Sequence, residues 1–182
     1  AGVDGLIVKP LADRYQPGVR AQGKVKHRRS ADVVLAGWRP HVRSAAGQQA
    51  AVGSLLLGLY DDDAKLHYVG ACSAFTAARR RELAEDLIPV TLDPHAAHPW
   101  RHVDSDVSVP GGGSRWRDEQ PWFAVSPQRV VEVTYEQMAG RRFRHLAGFV
   151  RWREDRDPAS CRFDQLEVPA PADIGDLLDA AD

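Results

Sequence analysis

A mainly β fold is what this sequence predicts, a five-stranded barrel with one helix between its third and fourth strands, preceded by a separate pair of short strands. Three observations carry that expectation. Short apolar runs with β-branched and aromatic residues recur along the chain, separated by turn residues. A single stretch, after Thr76, has helical spacing. Two strand-like segments near the amino terminus are set apart by a Pro- and Gly-containing bridge.

Taken in order, Asp4-Gly5-Leu6-Ile7-Val8-Lys9 reads as a turn into a strand, and Lys24-Val25-Lys26 as a second strand. Alternation places Lys24 and Lys26 on one face and turns Val25 toward a core. The same alternation separates Asp4 from Lys9 unless Gly5 bends the strand. Ser30 to Pro40 reads as the first barrel strand, through Val33, Val34, Leu35 and Trp38. Gly53 to Tyr60 and Lys65 to Ala74 flank Asp61-Asp62-Asp63 and form a hairpin. Thr76 is the N-cap of a helix in which Ala77, Leu83, Ala84, Leu87 and Ile88 share a face until Pro89 stops it. Val130 to Tyr135 alternates as the fourth strand, and Phe149 to Arg153 as the fifth. Strand, hairpin, helix and two further strands is the order of an OB barrel. The segment from Thr91 to Pro127, with Gly111-Gly112-Gly113, is left as a long loop that is functional or mobile.

Composition sets outer limits. The 182 residues suit one core with appendages. No apolar run of about 18 residues is present, so no membrane span is expected. Cys72 and Cys161 lack metal spacing and fit reduced thiols. The net charge of −1 conceals an uneven distribution. Arg20 to Arg29 holds five basic residues and no acid, and Arg141 to Arg156 holds six arginines against Glu154 and Asp155. Such clusters suit a phosphate backbone. Beyond Arg162 only acids occur, which reads as a solvated, disordered tail over 168–182. His95, His98 and His102, near Asp104 and Asp106, have ligand-like spacing, but a proline-broken loop without cysteine disfavours structural zinc.

The Asp-Gly-apolar-Lys and Lys-x-Lys strands, joined through Tyr15-Gln16-Pro17-Gly18-Val19-Arg20, resemble the last two motifs of a nucleotidyltransferase core, as in ATP-dependent DNA ligases and mRNA capping enzymes. Trp122, Val131-Glu132-Val133 and Tyr135 match a stretch that precedes the final ligase motif. The run from Phe143 to Pro158 resembles that final motif, with Arg153, Asp155 and Arg156 in the places of Arg-x-Asp-Lys. The likeness covers residues 1 to about 167 and is greatest to the small LigC-type repair ligases of actinobacteria. There are departures: Gln22 and Gly23 stand where an aromatic residue is usual, Arg156 replaces lysine, and Gly148 stands where a basic residue is common.

The resemblance implies a division into residues 1–29, the end of an adenylation domain, 30–167, an OB-fold domain, and the tail. It implies ATP as nucleotide, carried as covalent AMP in the full-length parent, and magnesium held by Asp4. Lys9, Lys24 and Lys26 would bind the nucleotide. Lys24, Lys26, Arg153, Asp155 and Arg156 would serve the transfer, the last three by orienting pyrophosphate. Arg20, Arg28, Arg29, Arg141, Arg142, Arg144 and Arg151 would contact nicked duplex DNA. These residue types suit the task, since cations stabilise charge on phosphoryl oxygens and arginine's fork binds them in pairs. The Lys-x-Asp-Gly motif that carries the adenylate is absent, so the chain is expected to be the carboxyl-terminal part of such an enzyme, whose amino-terminal adenylation domain is its partner. It is expected to be a monomeric, cytoplasmic, nucleoid-associated protein with a hinge between His27 and Asp32, and residues 1–29 are expected to be poorly ordered in isolation or to pair with another copy. Two other readings stay open. One is a non-catalytic OB module that stacks single-stranded bases on exposed aromatics. The other is a capping-enzyme or RNA-ligase relative.

Overall fold

In the computed structural model, residues 5–12, 14, 16–19, 21–26, 28–41, 51–101, 106–110 and 121–166 are described. Two short strands come first, β1 (Gly5–Val8) and β2 (Gly23–Lys26), paired antiparallel with Ile7 opposite Lys24 and Gly5 opposite Lys26. Next follow β3 (Arg29–Pro40), β4 (Val52–Tyr60), β5 (Leu66–Cys72), the helix α1 (Ala77–Leu87) and β6 (Phe123–Tyr135). A small hairpin, β7 (Met138–Ala139) and β8 (Arg142–Phe143), precedes β9 (Gly148–Trp152).

The main sheet runs β5-β4-β3-β6-β9 with antiparallel neighbours, which is third, second, first, fourth and fifth strand in barrel order. The expected five strands and the helix between the third and fourth are therefore present. Closure is incomplete. The edge strands meet through one parallel bridge, Cys72 to Ala147, where the Ala147 N–H donates to the Ala71 carbonyl at 2.9 Å.

Both faces of the central strands are buried, so they read as apolar runs and not as alternation. Val33, Val34, Leu35 and Ala36 on β3, and Leu55, Leu56, Leu57 and Leu59 on β4, are wholly buried. One cover is α1. Thr76 caps it, its side chain accepting from the Arg79 N–H at 3.2 Å, and Leu83, Ala84 and Leu87 face inward. Ala77 and Ile88, expected on that face, are exposed. Arg80 ties the helix to the strand ends by donating to the carbonyls of Val52, Gly53 and Ser73.

A second cover comes from the segment read as loop. Trp100 is buried, donates from Nε1 to the Leu66 carbonyl at 2.9 Å, and lies against Gly58. A Cβ at Gly58 would stand 2.8 Å from Leu66 Cδ1 and 3.0 Å from Trp100 Cζ2, so this close approach requires glycine.

Other expectations need correction. The fourth strand starts at Phe123 and not Val130, because Pro127 falls inside an interruption of the β3–β6 ladder between Ala124 and Arg129, where its missing N–H costs nothing. Val25 does not face a core: it is 58% exposed, as are Leu6, Ile7 and Val8 to similar degrees. A two-stranded ribbon has no second layer of its own to bury a face. Within the expected hinge, Arg29 to Asp32 already belong to β3 and pair with β6 as far as Glu132, so ladder hydrogen bonds hold them. Gly111 to Ser114 and the tail lie outside the described residues.

Candidate functional site

Gly5 brings β1 and β2 together. Its φ is +149°, and a Cβ there would lie 2.1 Å from the Val25 carbonyl oxygen, so only glycine fits opposite Lys26. Lys24 and Lys26 share a face of β2, and the ammonium of Lys26 forms an ion pair with Glu136, just past the end of β6. The hydrogen bond from Lys26 holds the Glu136 carboxyl below the ordinary carboxylate range, with His145 and Lys24 adding to the effect. Arg29 also reaches Glu136, donating to its carbonyl at 2.6 Å. Lys9, with Arg14, Gln16, Gln22 and neighbouring residues, lines a cavity of about 360 Å³ in the β1–β2 connection. Asp4 and Arg20 lie outside the described residues.

The terminal motif is bound to the main sheet by charge. Arg153 donates from Nη1 to both oxygens of Asp32 on β3, at 3.1 and 3.0 Å. Its Nε and Nη2 donate to the two oxygens of Asp155, each at 2.9 Å. These bonds push the guanidinium pKa up and, chiefly through the hydrogen bond from Arg153, hold the Asp155 carboxyl down at about 2. Asp32 is fastened in turn: its N–H donates to Gln165 Oε1 at 2.9 Å, and Gln165 Nε2 donates to its carbonyl at 3.0 Å. Arg156 stands 3.9 Å from Asp32, donates from Nη2 to the Ser160 carbonyl at 3.3 Å, and keeps a shielded Nε without a hydrogen bond. Every nitrogen of Arg153 is thus engaged, while the Arg156 side chain remains 36% exposed.

The arginines read as DNA contacts fall into two groups. Arg28 and Arg144 are exposed, Arg144 donating to Gln137, and Arg151 is 61% exposed while paired with Glu132 at 2.8 Å. Arg29 is buried, so the structure does not bring it to a surface. Arg142 donates to Ser108 and to the Val109 carbonyl and covers Tyr68. Arg141 lies over a pair formed by the buried His67 and the partly buried Asp61, whose Nε2 and Oδ2 are 2.7 Å apart. Burial opposes ionisation of Asp61, but hydrogen bonds from His67 and the Lys65 N–H outweigh it and lower its pKa.

Reading residues in sequence missed Asp32, Glu132, Glu136 and the Asp61–His67 pair. One signal was visible: Asp32 interrupts an apolar run, where a carboxylate requires a partner. Among the described residues, several of the aromatics are committed to packing. Trp38 stacks on Phe123 at 4.7 Å, Trp100 packs edge-on against Tyr68, His98 and Trp122, and Trp152 meets Phe149 and the Arg129 guanidinium. Trp116, His102 and Asp104 lie outside the described residues. Among the described residues no group of three or more His, Cys, Asp or Glu side chains could hold a metal ion, and no helix is long and apolar enough to cross a membrane.

A model of the family described as "ATP dependent DNA ligase C terminal region" matches residues 48–156, from the segment before β4 through the terminal motif. The chain belongs to that family. This ligase C-terminal region is 49% identical over 177 residues to DNA ligase C2 of Mycolicibacterium smegmatis, covering 93% of the chain and 49% of that protein. It is 44% identical over 184 residues to DNA ligase C of Mycobacterium tuberculosis, covering 98% of the chain and 50% of the relative. The chain therefore spans about half the length of the curated relatives it matches. Its fold is like that of the ligase domain of M. tuberculosis LigD, with a TM-score of 0.55 at 29% identity over 87% of this chain and 47% of that one. A mycobacterial DNA ligase D complexed with ATP and MES gives a TM-score of 0.52 at 30% identity over 85% of this chain and 45% of that one.

Proposed function

We propose that this ligase C-terminal region works joined to a nucleotidyltransferase domain in a monomeric, cytoplasmic enzyme that seals nicks in duplex DNA at the expense of ATP. The observation that carries the reading is the match to the ligase C-terminal family over residues 48–156, joined to a β2 strand whose exposed Lys24 and Lys26 share one face. Lys26 is tied to the β6 end through Glu136, and Arg153 of the terminal motif to Asp32 on β3. Lys24 and Lys26 would hold nucleotide phosphate oxygens, and Lys9, which lines the cavity in the β1–β2 connection, would add a third cation for the nucleotide. Exposed lysines on one strand face suit that role, and the ATP complex of a related ligase supports the nucleotide. Asp4 would hold magnesium, whose chemistry is to neutralise charge on the phosphates.

Arg153, Asp155 and Arg156 would orient the departing pyrophosphate. Arg153 has its fork occupied by Asp32 and Asp155, so we read this arrangement as the resting one, from which Arg156 is the readier cation. The exposed Arg28, Arg141, Arg144 and Arg151 would track the DNA backbone without reading its sequence. Packing of Trp38, Trp100 and Trp152 into or against the core weighs against a module that stacks single-stranded bases.

Incubation with labelled ATP and magnesium tests the reading. The 182-residue chain should take up no covalent label, for want of Lys-x-Asp-Gly, and a chain joined upstream to a domain bearing that motif should become labelled on lysine. Robust labelling of the 182-residue chain alone, or none of the longer one, would contradict it.

A further inference from the structure

Glu136 is an acid in a basic setting. The charged groups that act on its carboxyl are Lys26, His145 and Lys24, and its carbonyl is gripped by the buried Arg29. Its backbone is thereby fixed at the end of β6, while its side chain is 48% exposed and able to swing. Lys26 is 39% exposed, so a ligand can approach the pair from solvent. An exposed ion pair of this kind is weak. A polyanion that meets Lys24 and Lys26 together, from the face they share, would outcompete a carboxylate that reaches Lys26 alone.

We propose that Glu136 is a positioning residue of the phosphate site, holding the Lys26 ammonium and the end of β2 in place until a phosphate oxygen displaces it. This rests on the reading of Lys24 and Lys26 as phosphate-binding cations. Glu136 thus keeps Lys26 extended toward the barrel end and sets a threshold that an incoming anion must exceed. The same contact couples occupancy of the phosphate site to the junction between ribbon and barrel, since only residues 27 and 28 separate β2 from β3.

The test is binding of inorganic pyrophosphate to the full 182-residue chain, measured by calorimetry and by the side-chain ammonium resonances of lysine. K26Q should weaken binding. E136Q should tighten it about two- to fivefold, the range an exposed ion pair supports, and E136D should return it close to the starting value. In a K26Q background, E136Q should gain little, because the competitor then has nothing to compete for. A gain of equal size in both backgrounds would reduce the effect to net charge and overturn the proposal. So would an E136Q chain that binds pyrophosphate no better than the parent, or not at all. If K26Q leaves binding unchanged, the assignment of Lys26 to phosphate is itself wrong, and the role of Glu136 falls with it. Thermal unfolding of each variant confirms that the fold is retained.

Discussion

Asp32 holds two segments far apart in sequence, accepting from Arg153 with its carboxylate while Gln165 brackets its backbone. Its side chain is 13% exposed and that of Arg153 is 19% exposed, so solvent screens their attraction less than at an open surface. A double-mutant cycle of Asp32→Asn and Arg153→Gln, followed by denaturant unfolding, should give a favourable coupling clearly different from zero. A value near zero would show the pair to be incidental. His98 gives a second handle. Its Nδ1 accepts from the Trp100 N–H at 3.1 Å, and burial lowers its pKa below the ordinary histidine value. A folded-state pKa below the unfolded one means that the unfolded chain binds the extra proton first. Stability should therefore be steady above about pH 6.5 and fall as pH drops through that value, by no more than about 1.4 kcal/mol per pH unit. The carboxylates with lowered pKa, Asp61, Asp106, Asp155 and Glu136, act below that window. In His98→Gln the slope between pH 6.5 and 5 should flatten, whatever the variant's absolute stability. None of these partnerships was legible in sequence. Asp32 advertised only that it needed a partner, and which of many arginines it met depended on a separation of 121 residues.

At the scale of elements, the strands with continuous apolar runs and the capped helix were legible, because burial on both faces and an N-cap each leave a local pattern. Where tertiary contacts did the work, the pattern was silent. Pro127 marked a false strand start because the ladder interruption that admits it lies in the pairing with β3. The β7–β8 hairpin, two residues a strand, carries too little sequence to register. The segment around Trp100 looked open because its prolines break periodicity, yet its indole is a core side chain at 4% exposure. Trp100→Ala should accordingly cost about 3–5 kcal/mol in unfolding free energy. A loss under 1 kcal/mol would mean that the sheet is stable without this cover.

For the whole molecule, the match to the ligase C-terminal family and its relatives sets the family, and two roles compete for the terminal motif's charges. An amphipathic strand with structural ion pairs and a pyrophosphate-orienting arm share the same residues. They differ in which chemical step suffers when a residue is lost. Arg156 is the discriminating position, since it is partly exposed and its guanidinium contacts only the Ser160 carbonyl, the Cys161 thiol and, at 3.9 Å, Asp32, whereas Arg153 is committed bidentately to Asp32 and Asp155. The decisive measurement compares ATP-driven adenylylation with sealing of a nick that already carries adenylate, in the chain joined upstream to a nucleotidyltransferase domain that bears Lys-x-Asp-Gly. For Arg156→Ala, adenylylation should fall about 10²–10³-fold, the usual loss for removing one charge-stabilising donor, while sealing of the adenylated nick should fall less than about tenfold, because no pyrophosphate leaves in that step. Equal losses in the two assays, in a variant that folds normally, would contradict the assignment and leave the terminal motif a structural or DNA-binding element.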